Sequence, residues 1–256
     1  MSSRWLIKSS GSSPRCPSTS SASRVVLLPH AGGGASYYRR WARGVPESTQ
    51  WWVVQYPGRE DRLSEQLTSS WTDVVDSINA ALLDSAPEPT VLFGHSMGAF
   101  LAFEVALRLE ERGYPLRRLV VSGREGPARV PSSRPPPLDD AALLKNLSAH
   151  AGTSEEVLRD PEIRAMVLPV LHNDYAIVAD YAPTTDRMLA CRVDAVAGRD
   201  DPGLDPQDLA AWTDVTSGKF AAHRVDGGHF YADETQLHLA RWLAGVDSLL
   251  PLDASH

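Results

Sequence analysis

Thr90-Val91-Leu92-Phe93-Gly94-His95-Ser96-Met97-Gly98 runs a short apolar segment straight into a turn with glycine on both sides of a serine. Residues 90–93 fit a buried strand, and residues 97–112 carry apolar side chains at helical spacing up to Gly113, a glycine suited to a helix C-terminus. A serine at the apex of a strand–turn–helix is held in a strained backbone, with its hydroxyl lifted above the strand ends. Gly94 and Gly98 let the two backbone segments approach without side-chain clashes. The helix opening at Met97 aims free N–H groups and its positive dipole end at a carbonyl held over Ser96. The arrangement is that of a nucleophilic serine.

Outward from this turn, element types alternate. Residues 25–28, 51–56, 119–122, 192–197 and 220–225 read as further strands. Helices are predicted near 36–43, 71–83, 206–216 and 233–250. Strand followed by helix, repeated, predicts an α/β fold with a mostly parallel central sheet and helices on both faces. Residues 124–137 hold five prolines, and helical segments at 139–150, 154–158 and 161–181 follow without a strand. An insertion of that size after the serine element is expected to be a helical lid, spanning about 124–181. Residues 1–23 hold ten serines and one apolar group, Trp5-Leu6-Ile7, and read as a disordered leader before a domain of residues 24–256.

A serine hydroxyl needs an oriented base, and in this arrangement the chain order is Ser, acid, His. Among eight histidines, His229 stands in Gly227-Gly228-His229-Phe230, just past the last strand. Loops at strand C-termini are where open α/β sheets place reactive groups. His223 falls within a strand, His238 within a helix, and His256 at the terminus. The acid is expected after the preceding strand, where Asp200 and Asp201 adjoin in Gly198-Arg199-Asp200-Asp201-Pro202. Neighbouring side chains in an extended loop point apart, so only one can face His229, and periodicity does not choose. An oxyanion hole needs two backbone donors: Met97 N–H is one, and the loop Pro29-His30-Ala31-Gly32-Gly33-Gly34 occupies the place of the other. Those glycines lack the Gly-Lys-Ser/Thr of a P-loop and the spacing of a dinucleotide fingerprint.

The chain of 256 residues has 25 Lys+Arg against 32 Asp+Glu, a net charge of −7, which argues against nucleic acid as the main partner. No apolar run is long enough to span a membrane, and two cysteines, Cys16 and Cys191, build no disulfide framework. A cytoplasmic protein is expected.

Taken together the residues resemble type II thioesterases of polyketide and nonribosomal peptide assembly lines, on the α/β-hydrolase fold. The resemblance runs from about residue 25 to 249. It rests on Leu28-Pro29-His30-Ala31-Gly32-Gly33, Gln55-Tyr56-Pro57-Gly58-Arg59-Glu60, Gly94-His95-Ser96-Met97-Gly98, Leu168-Pro169-Val170-Leu171 with Asp174-Tyr175, and Gly227-Gly228-His229-Phe230. The resemblance implies Asp201 as the acid in Gly-x-x-Asp-Pro, with Trp212 downstream, and Ala31 N–H as the second oxyanion donor. It implies a lid over a channel for an acyl-phosphopantetheine arm, with acyl or peptidyl carrier protein domains as partners. It implies no metal and no cofactor of the enzyme's own. His172-Asn173 departs from the family, where an arginine-containing pair is expected. The implied activity is hydrolytic removal of aberrant or stalled acyl groups; a general esterase or lipase would share every triad residue. Arg39, Arg40 and Arg43, with Arg59 and Arg62 after the next strand, are the candidate basic surface for an acidic carrier.

Overall fold

Val25, Val26, Leu27 and Leu28 are all fully buried, which alternating polarity would not allow and a sheet covered on both faces demands. In the computed structural model, which describes residues 4–10, 24–130, 138–151 and 159–249, they form β2 (Arg24–Leu28). The other strands are β1 (Leu6–Ser10), β3 (Gln50–Val54), β4 (Thr90–His95), β5 (Leu116–Ser122), β6 (Arg192–Gly198) and β7 (Phe220–Val225). They make one seven-stranded sheet in the order β1-β3-β2-β4-β5-β6-β7, parallel except for β1.

The helices are α1 (Ala35–Arg39), α2 (Trp71–Leu83), α3 (Met97–Glu111), α4 (Asp140–Ala151), α5 (Pro161–Ala179), α6 (Pro206–Ala210) and α7 (Asp233–Leu243). Two apolar layers divide the strand residues by pleat. Val26, Leu28 and Leu92 face α2 and α3, whereas Val25, Leu27 and Phe93 face Tyr38, Trp41 and the α7 residues Leu239 and Leu243. α3 ends as its glycine suggests: Gly113 N–H donates to Glu110 O and Tyr114 N–H to Leu109 O, with Gly113 at φ +66°. No helix among the described residues is long and apolar enough to cross a membrane.

The leader requires a correction. Leu6–Ser10 is not disordered: Leu6 pairs with Val54 and Ile7 with Val53, antiparallel along the sheet edge. Leu6 is buried in the same layer as Val54 and Tyr56, and Trp5 meets Tyr56 edge-on at 6.5 Å. A short apolar group is enough here because β3 already presents an unpaired row of backbone groups. Residues 1–3 and 11–23 lie outside the described residues, as do the proposed helix at 154–158 and residues 131–137 of the proline-rich stretch. α4 and α5 do stand between β5 and β6, as an insertion there would. α5 starts on Asp160, whose carboxylate accepts from Glu162 and Ile163 N–H, with Pro161 in the first turn.

Candidate active site

β2 has β3 on one side and β4 on the other, so the chain reverses its order of travel between β2 and β4. Such a switch point opens a crevice at the strand C-termini. The pairing of Leu28 with Gly94 sets the loop of residues 29–34 beside the serine turn. Ser96 sits there at φ +54°, ψ −118°, a conformation that a non-glycine residue adopts only under constraint from its surroundings. The constraint is local packing. A Cβ on Gly94 would lie 1.9 Å from Gly98 O, and one on Gly98 would lie 2.0 Å from Leu28 O. Ser96 N–H donates to Ser122 O at 2.8 Å, and Ala99 N–H to Ser96 O at 2.9 Å starts α3.

His229 lies in the loop after β7, and its Nδ1 is 2.8 Å from Asp201 Oδ2. Asp201 Oδ1 accepts from Gly203 N–H at 3.0 Å. An ionised carboxylate only accepts, so Nδ1 carries the proton and Nε2 is the basic nitrogen. Burial acts to raise the Asp201 carboxyl, but His229, the Gly203 N–H and Arg224 outweigh it and hold the group below the ordinary range. Asp200 is exposed, and its N–H donates to Gly227 O. Of the two adjacent acids, Asp201 is therefore the one that meets His229. The His229 ring lies 5.0 Å from that of His95, the residue before Ser96. A Cβ on Gly123 would come within 3.2 Å of His229 Cε1, so the residue just after β5 packs against the imidazole.

Met97 opens α3 directly after Ser96, and Ala31 occupies the adjacent loop at the C-terminal end of β2. Here the structure brings together groups that the sequence reading did not connect. Tyr56 Oη donates to Pro29 O, Gln55 Oε1 accepts from Ala35 N–H, and the Glu60 carboxylate accepts from Ser36 N–H. Arg59 and Asp174 form a buried ion pair beneath the loop, at 2.7 and 2.9 Å. Gln55, Tyr56, Arg59, Glu60 and Asp174 lie in stretches quoted for the family resemblance.

Two of the basic-surface candidates are thereby corrected: Arg59 is 7% and Arg62 5% exposed, the latter paired with Glu65. Both guanidiniums are occupied inside the protein, and Arg39, Arg40 and Arg43 are the ones exposed. His223 is buried against Asp194 at 2.8 Å, away from the serine turn, while His256 lies outside the described residues. Trp212 is fully buried and donates from Nε1 to Arg124 O. His172 meets Asp140 of α4, and Asn173 donates to Thr68 O. A small cavity between α2, α3 and α5 is lined by Tyr56, Val74, Met97, Leu101, Asp174 and Ile177, so α5 covers the start of α3.

The thioesterase domain family model matches residues 23–244. The chain is 40% identical over 220 residues to the thioesterase PikA5 of Streptomyces venezuelae, covering 85% of this chain and 78% of that one. It is 39% identical over 215 residues to a probable cadicidin biosynthesis thioesterase of Streptomyces griseus, covering 84% of this chain and 60% of the relative. Among solved structures, the type II thioesterase BorB from the borrelidin biosynthetic cluster superposes with a TM-score of 0.82 at 33% identity, covering 94% of this chain and 97% of BorB.

Proposed function

Because this chain belongs to the thioesterase domain family, we propose that it hydrolyses acyl thioesters on the phosphopantetheine arm of acyl or peptidyl carrier protein domains. In that role it removes aberrant or stalled acyl groups from a polyketide or nonribosomal peptide assembly line, as a type II thioesterase. The observation that carries the reading is the Asp201–His229 hydrogen bond beside a strained Ser96.

Ser96 Oγ attacks the thioester carbonyl carbon while His229 Nε2 takes its proton. Asp201 holds the ring and stabilises the imidazolium that forms. The tetrahedral oxyanion is received by the N–H groups of Ala31 and Met97, the latter at the positive end of α3. Collapse expels the pantetheine thiolate, which takes the proton back from His229. A thiol with a pKa of about 8.5 leaves far more readily than an alkoxide. Water, deprotonated by His229, then attacks the acyl-serine; collapse releases the carboxylic acid, and His229 returns the proton to Ser96 Oγ. The chemistry calls for no metal and no cofactor beyond the arm that carries the substrate. α4 and α5 form the lid over the channel for that arm.

The test is a panel of acyl groups loaded on several carrier domains, with release rates measured beside simple oxygen esters. Carrier-bound thioesters are expected to have the higher kcat/KM; preference for oxygen esters would make the protein a general esterase. Ser96→Ala is expected to lower kcat on the order of 10⁴–10⁶-fold. Retention of more than about a tenth of the rate would remove Ser96 from the mechanism.

A further inference from the structure

The loop of residues 29–34 contains a tight turn that is locked from outside the sheet. Gly33 N–H donates to His30 O at 2.9 Å, closing a turn of residues 30–33. Gly32, its third residue, has φ +75°, the conformation that a type II turn requires at that position. Types I and II differ by a flip of the central peptide, here the one between Ala31 and Gly32. The N–H of that peptide donates to Asp174 Oδ2 at 2.8 Å.

Asp174 comes from α5 of the insertion, and both of its carboxylate oxygens accept hydrogen bonds. Oδ2 also accepts from Arg59 Nη1 at 2.7 Å, and Oδ1 from Arg59 Nη2 at 2.9 Å. Arg59 Nη1 reaches on to Gly33 O at 3.2 Å, so one ion pair holds both the middle and the end of the turn. Leu171, one helical turn earlier on α5, fills the space where a Cβ on Gly32 would stand, at 2.6 Å. Val170, Leu171, Asp174 and Ile177 are the buried side chains of α5, so the helix face that covers the site is also the face seated on this turn.

We infer that Asp174 is a positioning residue for the oxyanion hole: when α5 is seated it holds the Gly32 end of the turn, and the turn's closing bond to His30 O holds the His30–Ala31 peptide, whose N–H is the oxyanion donor. The inference rests on the assignment of Ala31 as an oxyanion donor made above. Its physical content is that without its buried charged acceptor the Gly32 N–H no longer fixes the turn, and the His30–Ala31 peptide that the turn closes on is free to leave its orientation. The helix that covers the substrate channel therefore also sets one of the donors that stabilise the transition state. A donor swung out of line stabilises the tetrahedral intermediate poorly while leaving substrate binding intact.

Removing Asp174 alone would strand the Arg59 charge in the interior and confuse misfolding with loss of positioning. The test therefore compares two double variants in the full-length protein. Arg59→Met with Asp174→Leu removes the ion pair and the acceptor for Gly32 N–H. Arg59→Met with Asp174→Asn removes the ion pair and keeps an amide oxygen as acceptor. Measured are melting temperature, kcat and KM on an acyl-pantetheine thioester, and inhibition by an alkyl boronic acid, which becomes tetrahedral on a serine nucleophile.

The leucine variant is expected to lose about 10²-fold in kcat with KM within about threefold, and to lose boronic acid affinity in parallel. The asparagine variant is expected to stay within about fivefold of the wild type on every measure. Equal losses in both variants, or a leucine variant with near-normal kcat, would overturn the inference. A wild-type enzyme insensitive to the boronic acid, with a Ser96→Ala variant that still turns over, would overturn the serine mechanism itself and this inference with it.

Discussion

Replacing Asp201 by asparagine alters one atom of the site and almost none of its packing. The asparagine oxygen can still accept from Gly203 N–H, which meets Asp201 Oδ1 at 3.0 Å, so the loop after β6 has no reason to move. What changes is the group opposite His229 Nδ1, now 2.8 Å from a carboxylate oxygen. With the amide oxygen on Gly203, the amide nitrogen faces the ring and donates. Nδ1 must then accept, the ring proton moves to Nε2, and Nε2 can no longer take the proton of Ser96. The imidazolium also loses its counter-charge. In serine hydrolases this exchange costs on the order of 10⁴ in kcat, which at about 1.4 kcal/mol per decade is roughly 5 kcal/mol of transition-state stabilisation. A loss of about 10³–10⁴ is expected here. Asp200→Asn is the internal control: its carboxylate is exposed and its structural bond is made by the backbone, so less than about a tenfold loss is expected. The assay is steady-state hydrolysis of an acyl-pantetheine thioester by both variants, with melting curves to establish that each is folded. Asp201→Asn within tenfold of wild type, or Asp200→Asn the more damaged, would refute the assignment of the acid.

Gly98→Ala is expected to destabilise by about 2 kcal/mol or more and to abolish turnover, since its Cβ would meet the backbone oxygens of Leu28 and Pro29 at 2.0 and 2.7 Å; an unchanged melting temperature would contradict this. Asp194, buried in β6, is pushed up by burial but held below its ordinary value by His223, Arg192 and Arg118. A depressed folded pKa contributes stability that is complete above about pH 4 and is lost as pH falls through the folded value. Denaturant unfolding at pH 6 and pH 3 should therefore show an acid-sensitive component that Asp194→Asn reduces, and an equally acid-sensitive variant would speak against it. Charge reversal at Arg39 and Arg40, both exposed at the end of α1, is expected to slow release from a carrier protein about tenfold, an effect that rising salt imitates. A small pantetheine thioester should be nearly unaffected; equal loss on both substrates would mean that the oxyanion loop has been disturbed.

The parts of this protein that local chemistry dictates were legible in its sequence. Four consecutive apolar residues at 25–28 can be buried together only in a sheet covered on both faces, and the covered sheet is there. Glycines at 94 and 98 around Ser96 permit a backbone approach that any Cβ would prevent, and set between a strand and a helix they made the turn readable. His229 was marked by its place in the loop just past the last strand, where open α/β sheets hold reactive groups. Asp200 against Asp201 was not legible from the residues themselves. Which of two adjacent side chains faces the imidazole depends on the path of the loop, and that path is set by Asp200 N–H on Gly227 O and Gly203 N–H on Asp201. Nor could the fate of Arg59 be read locally, since the carboxylate that draws it inside lies 115 positions away on α5. An arginine in a charged stretch reads as solvated until a buried partner is known, because only pairing offsets the cost of taking its charge out of water. β1 follows the same rule, its apolar group finding a place at the edge that β3 leaves open. Backbone sterics and apolar patterning act between neighbours and are written in the chain; charge pairing and edge pairing act between segments that only the folded sheet brings together.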